Sequence, residues 1–176
     1  MKFNRLVRED NQIQTIYDKP NADGHLEQFD ITAHEAPRPE MDKALEALGS
    51  VCIEIAELAE PLKGMAVYPY GLTVSYTKHG TRKCSIQFKR LLRATGKTYK
   101  FKTPSFQIDD PAEGEETNRE CSKEQAELIT AAINEGIRYA MGERSQHLLP
   151  LEDDTAEPSD GTPSDGDLFD GEQTDE

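Results

Sequence analysis

The N-terminal quarter of the chain alternates apolar and polar residues with a period of two. Residues 11–18 and 25–33 each collect their apolar side chains on one face, Ile13 and Tyr17 in the first segment and Phe29, Ile31 and Ala33 in the second. Residues 21–24 between them, Asn-Ala-Asp-Gly, are strong turn formers. Alternation on both sides of such a turn predicts a β-hairpin. Residues 1–8 are a further candidate strand, although three cations weaken their alternation.

The period changes after the Pro37-Arg38-Pro39 break. From Glu40 onward, apolar residues recur every three or four positions, at Met41, Leu45, Leu48, Cys52, Ile55, Leu58 and Ala59. This spacing predicts an amphipathic helix that ends near Pro61. A domain of this size needs a helix to cover its sheet, so the apolar stripe is expected to be core.

The middle of the chain returns to a strand pattern. Three apolar sets share one face each: Leu72, Val74 and Tyr76; Cys84, Ile86 and Phe88; Tyr99 and Phe101. Turn residues at 78–81 and 94–97 separate them, which predicts a three-stranded antiparallel meander. The adjacent Leu91 and Leu92 interrupt the alternation, so a bulge is expected there.

A second helix is predicted after an acidic loop at residues 109–120. Ser122 and Gln125 have the spacing of a capping box. The apolar positions that follow are Leu128, Ile129, Ala132, Ile133, Ile137, Ala140 and Met141, and Gly142 ends the pattern. The predicted fold class is therefore α+β: an antiparallel sheet, made of a hairpin and a meander, covered by two amphipathic helices.

The last 25 residues are different in composition. Residues 152–176 consist mostly of Asp, Glu, Gly, Pro, Ser and Thr, which cannot bury enough apolar area to offset the entropy lost on ordering. We therefore predict one α+β domain over residues 1–151 and a disordered acidic tail over residues 152–176.

Charge is sorted along the chain. Residues 78–102 contain nine Lys or Arg and no acid, whereas residues 152–176 contain eleven acids and no base. The formal net charge is −14, and without the eleven tail acids it would be −3. A basic folded surface followed by an acidic tail is the arrangement expected where a polyanion binds the first and the second competes for it.

The strand alternation assigns these cations to one face of the sheet. Opposite the apolar sets lie Lys83, Lys89, Lys100 and Lys102, among small hydroxyl and amide side chains that suit phosphate and sugar contacts. Further cations are expected at rims and turns: Arg82, Arg90, Arg93 and Lys97. Tyr68, Tyr70 and Phe106 are candidates for stacking on bases, whereas Tyr76, Phe88, Tyr99 and Phe101 are expected in the core.

Two other interpretations of the basic face stay open. Lysines are common on solvated sheet faces and protect sheet edges against aggregation. An acidic protein partner would also fit the charge. Nucleic acid is the obvious polyanion, and the favoured partner is single-stranded DNA, although the sequence leaves single- and double-stranded forms open.

A short peptide follows the second predicted helix. Gln146-His147-Leu148-Leu149-Pro150-Leu151 resembles the motif by which bacterial replication and repair proteins bind the sliding clamp. The resemblance implies that Gln146 enters a polar subsite and that Leu149 and Leu151 enter an apolar pocket. Asp167-Leu168-Phe169 is the one apolar island of the tail, so Leu168 and Phe169 are a second candidate partner-binding site. The alternative is that the leucines of residues 148–151 pack on the domain.

Two further resemblances concern the chain as a whole. The acidic tail is similar to those of bacterial and phage single-stranded-DNA-binding proteins, although Phe169 is internal here whereas those tails end in an aromatic residue. Residues 41–151, with the Thr103-Pro104 strand exit and the helix that closes on residues 142–146, loosely resemble uncharacterised tailed-phage accessory proteins. The first resemblance implies a tail that shields the basic face when DNA is absent, and the second implies a phage origin rather than an activity.

The sequence contains no recognisable catalytic chemistry. Cys52, Cys84 and Cys121 are too far apart for a zinc motif, and the four histidines have no metal-site spacing. Asp109 and Asp110 could hold magnesium in a nuclease, but acidic loops are usually solvated. We predict no enzyme, metal or cofactor, a cytoplasmic location in a host bacterial cell, and no membrane partner because no apolar run is long enough.

The pattern as a whole predicts a phage-type accessory DNA-binding protein of replication or recombination, with an acidic tail that modulates binding. The alternative is an interaction module that binds or inhibits a host protein such as the sliding clamp.

Overall fold

A computed structural model describes residues 1–58, 66–92, 94–110 and 121–145. The chain divides into two units, Met1–Gln146 and His147–Glu176. The second unit lies outside the described residues.

Seven strands and two helices make up the described part of the chain. The strands are β1 (Lys2–Glu9), β2 (Gln12–Pro20), β3 (Leu26–Ala33), β4 (Val67–Tyr76), β5 (Arg82–Leu92), β6 (Lys97–Lys102) and β7 (Phe106–Gln107), and the helices are α1 (Pro39–Ile55) and α2 (Lys123–Ala140). The strands form one antiparallel sheet in the order β3-β2-β1-β4-β5-β6, and β7 pairs with β5 beyond the end of β6. The predicted α+β class, with its hairpin, meander and two helices, is confirmed.

Strand β1 joins the two halves of the sheet. It pairs with β2 on one side and with β4 on the other, so the N-terminal hairpin and the meander become one surface. In the second pairing, Leu6 lies opposite Leu72, and Leu72 lies opposite Ile86 of β5. All three side chains are fully buried. The cations that weaken the alternation of β1 therefore do not prevent it from occupying the centre of the sheet.

Both helices pack on one side of the sheet. Helix α1 lies against β4 and β5, α2 lies against β1 and β2, and the helices contact each other. The predicted stripe of α1 is buried at Met41, Leu45, Leu48, Cys52 and Ile55. The core between helices and sheet buries most of its residues completely, which is the main favourable contribution to folding.

Side-chain hydrogen bonds cap the start of α2 and join α2 to the segment before α1. The capping box predicted for α2 is present: the Gln125 backbone N–H donates to Ser122 Oγ at 3.2 Å, and the Ser122 backbone N–H donates to Gln125 Oε1 at 2.9 Å. Before α1, the Arg38 guanidinium donates to Glu135 of α2 at 3.2 Å and to Glu143 at 3.1 Å. The nearly buried Glu135 thus has a cationic partner, as a buried carboxylate requires.

Several details differ from the prediction. Helix α1 ends at Ile55 rather than near Pro61, because Glu57 adopts a left-handed backbone (φ 50°). No register shift occurs at Leu91 or Leu92, and the bulge of the meander lies between Pro69 and Gly71 of β4 instead. Met141 was predicted to be a core residue of α2, but it lies past the end of the helix and is 65% exposed. Tyr139, which the pattern did not include, is buried instead.

Candidate nucleic-acid interface

The sheet has a helix side and an open side, and the cations are distributed between them by register. Phe88, Ile86 and Cys84 of β5 are buried on the helix side. The intervening residues of β5 therefore face the open side, which neither helix covers. As predicted, Lys83 and Lys89 of β5 share this side with Lys100 and Lys102 of β6, because Lys89 pairs with Lys100 and Gln87 pairs with Lys102.

Two tyrosines extend this cluster across β4. Tyr68 lies directly opposite Lys89, which aligns Tyr68, Lys89 and Lys100 in a row across three strands. Tyr70 is the extra residue of the bulge, and its ring lies beneath two ammonium groups: Lys89 Nζ is 5.2 Å and Lys100 Nζ 5.7 Å from the ring centroid. Such cation–π contacts hold the lysines over the sheet. The Tyr68 side chain is 55% exposed and leaves an aromatic surface beside them.

Gly71 makes the bulge possible. A Cβ atom at Gly71 would lie 2.7 Å from the Leu6 carbonyl oxygen and 3.1 Å from Val7 Cα, both on the neighbouring strand β1. A glycine is therefore needed where β4 approaches β1 most closely. The bulge adds one residue to β4 and turns Tyr70 toward the open side.

One acid interrupts the basic cluster. Glu9 of β1 accepts a hydrogen bond from Lys100 Nζ at 2.6 Å. This contact lowers the pKa of Glu9, and it raises the pKa of Lys100. The side chains of Lys100 and Glu9 are 57% and 41% exposed, so the ion pair is weak. Another anion can replace Glu9 on Lys100 at little cost.

Arg5 adds a cation that the sequence pattern did not reveal. It lies on β1 opposite Thr73, and its side chain lines an open-side cleft of about 260 Å³ together with Val7, Glu9, Gln12, Gln14 and Thr32. Its Nε atom is buried without a hydrogen-bond partner. Only the pairing of β1 with β4 places Arg5 beside the meander, and that pairing joins segments far apart in the chain.

The other cations, which were predicted at rims and turns, differ in their surroundings. Arg82 forms a bidentate ion pair with Asp109 (2.5 Å and 3.0 Å), which lowers the pKa of that carboxyl below its ordinary 3.8. Arg90 lies within β5 on the helix side and is only 7% exposed, so the expected rim position is wrong. Lys97 is exposed at the start of β6, whereas Arg93 lies outside the described residues.

The Arg82–Asp109 pair has a structural role as well. The Arg82 backbone N–H donates to Asp109 Oδ2 at 2.9 Å, and the Ile108 N–H donates to the Arg82 carbonyl at 3.0 Å. Since the folded-state pKa of Asp109 is lowered, its contribution to stability is present above pH 3.8 and is lost as the pH falls through the lowered value. Asp109 is thus paired with Arg82, which argues against Asp109 as a metal ligand.

The aromatic predictions are partly corrected. Phe106 is 1% exposed and belongs to the core, so it is not available for stacking on bases. Tyr99 and Phe101 were expected in the core, but they are 43% and 41% exposed because neither helix extends over β6. Phe88 is buried as expected and stacks on Phe101, with ring centroids 5.5 Å apart.

The structure offers little support for other chemistry in the part it describes. In these ranges no three His, Cys, Asp or Glu residues come close enough together to hold a metal ion. Burial raises the pKa of Cys52 and Cys84 to about 12, so both remain thiols that serve packing. Neither α1 nor α2 is long and apolar enough to cross a membrane.

The predicted partner-binding residues cannot be placed. Gln146, Leu149 and Leu151 of the clamp-like peptide lie outside the described residues, as do Leu168 and Phe169 of the tail. Comparison with protein-family models, with curated proteins and with solved structures finds no match. The function of the open side is therefore inferred from the residues that form it.

Proposed function

We propose that the protein binds single-stranded nucleic acid along the open side of its sheet. The observation that carries the proposal is the convergence of Lys83, Lys89, Lys100 and Lys102 with Tyr68 on a surface that neither α1 nor α2 covers. Lysines bind phosphates as point charges, and an exposed tyrosine ring stacks on any base. The combination favours binding to the backbone with little sequence preference.

The shape of the surface favours a single strand over a duplex. Reading duplex DNA in the major groove requires a protruding helix or a two-stranded ribbon, because the groove is about 12 Å wide. The open side belongs to a sheet with six adjacent strands, which is too broad to enter that groove. A single strand can instead lie across the sheet, with its phosphates near the lysines and a base on Tyr68.

Contacts within the protein already position Lys89 and Lys100 for an anionic ligand. Glu9 occupies the position on Lys100 that a phosphate oxygen would take. The Tyr70 ring already holds Lys89 and Lys100 above the sheet, which reduces the entropy cost of ordering their side chains on binding. Arg5 and its polar cleft extend the cationic path beyond the meander toward β1 and β2.

The acidic tail is proposed to weaken this binding through its charge. Its eleven carboxylates are opposite in sign to the lysine cluster, and a tethered polyanion competes with nucleic acid most strongly at low salt. An accessory role in the DNA replication or recombination of a phage is the wider hypothesis that such binding would support.

Fluorescence anisotropy with a labelled oligothymidylate of about 30 nucleotides tests the proposal, because that length exceeds a single site of this size. The double substitution Lys89→Glu/Lys102→Glu should weaken binding at least tenfold. It should also reduce the slope of log K against log salt by about 1.4, since each phosphate contact on a single strand contributes about 0.7. A chain that ends at Leu151 should bind more tightly than the full chain at low salt.

The matched control carries the same charge change on the helix side. Lys43→Glu/Lys123→Glu alters two exposed lysines of α1 and α2, and it should leave affinity and salt slope close to those of the wild type. Tyr68→Ala should weaken binding by about 1–3 kcal/mol, whereas Tyr68→Phe should not. Equal losses in the two lysine doubles would mean that net charge alone governs binding, and the open side would then have no special role.

A further inference from the structure

The two edge strands of the sheet share a feature that the rest of the sheet lacks. At one edge, Phe29 of β3 stacks on the buried Tyr17 of β2, with ring centroids 5.2 Å apart. At the other edge, Phe101 of β6 stacks in the same way on the buried Phe88 of β5. Both outer rings stay 37% to 41% exposed on the helix side. Each edge therefore ends in an aromatic ring that is covered on its inner face only.

Neither α1 nor α2 covers either of the edge strands. Helices α1 and α2 pack mainly over the four inner strands. All six residues of β6 are exposed, as are the first five of the eight residues of β3. A strand with an uncovered edge presents backbone N–H and C=O groups that can pair with another strand.

The charges of the two edges are complementary. Strand β6 carries Lys97, Lys100 and Lys102 and no acid, whereas β3 carries Glu27 and Asp30 and no Lys or Arg. Pairing β6 with β6, or β3 with β3, would bring like charges together, which is unfavourable. Pairing β6 with β3 of another copy would bring opposite charges together.

The strand directions allow this pairing without turning the molecule over. Neighbouring strands are antiparallel throughout the order β3-β2-β1-β4-β5-β6, so the two edges of this six-strand path run in opposite directions. A second copy placed beside the first, with its helices on the same side, therefore brings its β3 antiparallel to β6. The sheet would continue from one chain to the next with its usual geometry.

One register matches the side chains on both sides of the sheet, with Lys100 exchanging its weak pair with Glu9 for Asp30 of the next copy. With Lys100 opposite Asp30, alternation places the remaining residues automatically. On the helix side, Phe101 faces Phe29 and Tyr99 faces Ile31. On the open side, Thr98 faces Thr32 and Lys102 faces Gln28. The exposed aromatic rings of both edges are then buried against each other.

We propose that β6 of one copy pairs with β3 of the next, so that the protein associates with itself edge to edge. The contact is heterologous, and repetition gives either a ring or a filament. The open sides of successive copies would then form one continuous surface. The proposal does not depend on nucleic acid, because the two edges are complementary in its absence.

Sedimentation velocity of the full chain, without nucleic acid and at about 0.15 M salt, tests the association. Because a single pair of strands makes a small interface, the sedimentation coefficient should rise between about 10 and 500 µM. Lys100→Glu and Asp30→Lys should each abolish the rise. An equimolar mixture of the two variants should restore it, and so should both substitutions in one chain. Lys43→Glu, an exposed lysine of α1 away from both edges, is the matched control and should behave as the wild type.

Disulfide trapping tests the register independently of the charge variants. In a Cys121→Ser background, Thr32→Cys with Thr98→Cys should give an intermolecular ladder on a non-reducing gel, because paired strands bring these positions together. Gln28→Cys with Thr98→Cys, displaced by four residues, should give far less. A wild-type protein that sediments as one species over the whole range would overturn the proposal, and so would ladders of equal strength from both cysteine pairs.

Discussion

The two sides of the sheet are built from alternating residues of the same strands, yet they obey different rules. On the helix side, Leu6, Leu72 and Ile86 are fully buried in one row across three strands. On the open side, a parallel row holds Tyr68, Lys89 and Lys100, and all three remain accessible. One side is determined by packing, while the other keeps cations and an aromatic ring where packing does not require them.

The comparison also separates two kinds of exposed aromatic residue. Tyr68 is exposed on the open side beside lysines, which suits a nucleic-acid base. Tyr99 and Phe101 are exposed on the helix side of an edge strand, where the helices end. The first belongs to the proposed binding surface and the second to the proposed contact between chains. Exposure alone does not distinguish these roles, but the side of the sheet does.

The largest contrast between the two sides should appear in stability. Leu72→Ala removes a fully buried side chain and leaves a cavity, so the free energy of unfolding should fall by about 2–5 kcal/mol. Ser75→Ala, three residues along the same strand on the open side, should change it by less than about 0.5 kcal/mol. Urea unfolding of both variants measures the contrast. Similar losses would show that the open side is packed against something that the helices do not supply.

A second contrast concerns two glycines. Gly71→Ala should lower the free energy of unfolding by about 1–3 kcal/mol, because its Cβ would collide with the β1 backbone at 2.7 Å. Gly49→Ala in α1 should raise it by about 0.5–1 kcal/mol, since its Cβ meets the Val67 carbonyl oxygen at an ordinary 3.6 Å and alanine favours helix.

The Gly71 variant also tests whether the bulge supports the binding surface. A shift of β4 would displace Tyr70 from beneath Lys89 and Lys100, and oligothymidylate affinity should fall with it. If the Gly71→Ala variant is as stable as the wild type, β4 can move away from β1 freely. The bulge would then not be needed to support the binding surface.

Local patterns accounted for most of the fold. The hairpin, the meander and both helices depend on contacts between residues near in the chain, and their periods of two and of three to four are visible in the sequence. The position of β1 at the centre depends on pairing with β4, more than 60 residues away, and no local pattern encodes it. Strand β7 is only two residues long, too short for a period to be recognised.

The same distinction holds for the candidate site. Alternation placed Lys83, Lys89, Lys100 and Lys102 together because they lie on adjacent strands of one meander. Arg5 and Glu9 were missed since they reach the site from β1. Arg90 was misplaced because it was grouped with the rims and turns, whereas the alternation of β5 continues through it without a register shift and puts it on the helix side. Charge spacing alone could not reveal that Arg82 is paired with Asp109.

The smallest predicted effect concerns Glu9, the acid that pairs with a lysine of the basic cluster. Glu9→Gln removes the anion that now pairs with Lys100 at 2.6 Å, so the lysine becomes available to a phosphate. Oligothymidylate affinity should rise about two- to threefold at low salt, and the slope of log K against log salt should steepen by about 0.7, the value of one added contact. Glu46→Gln, an exposed acid on α1, makes the same change of net charge on the helix side and should leave the slope unaltered. If both variants gain affinity equally, the gain reflects net charge, and Lys100 does not contact the nucleic acid.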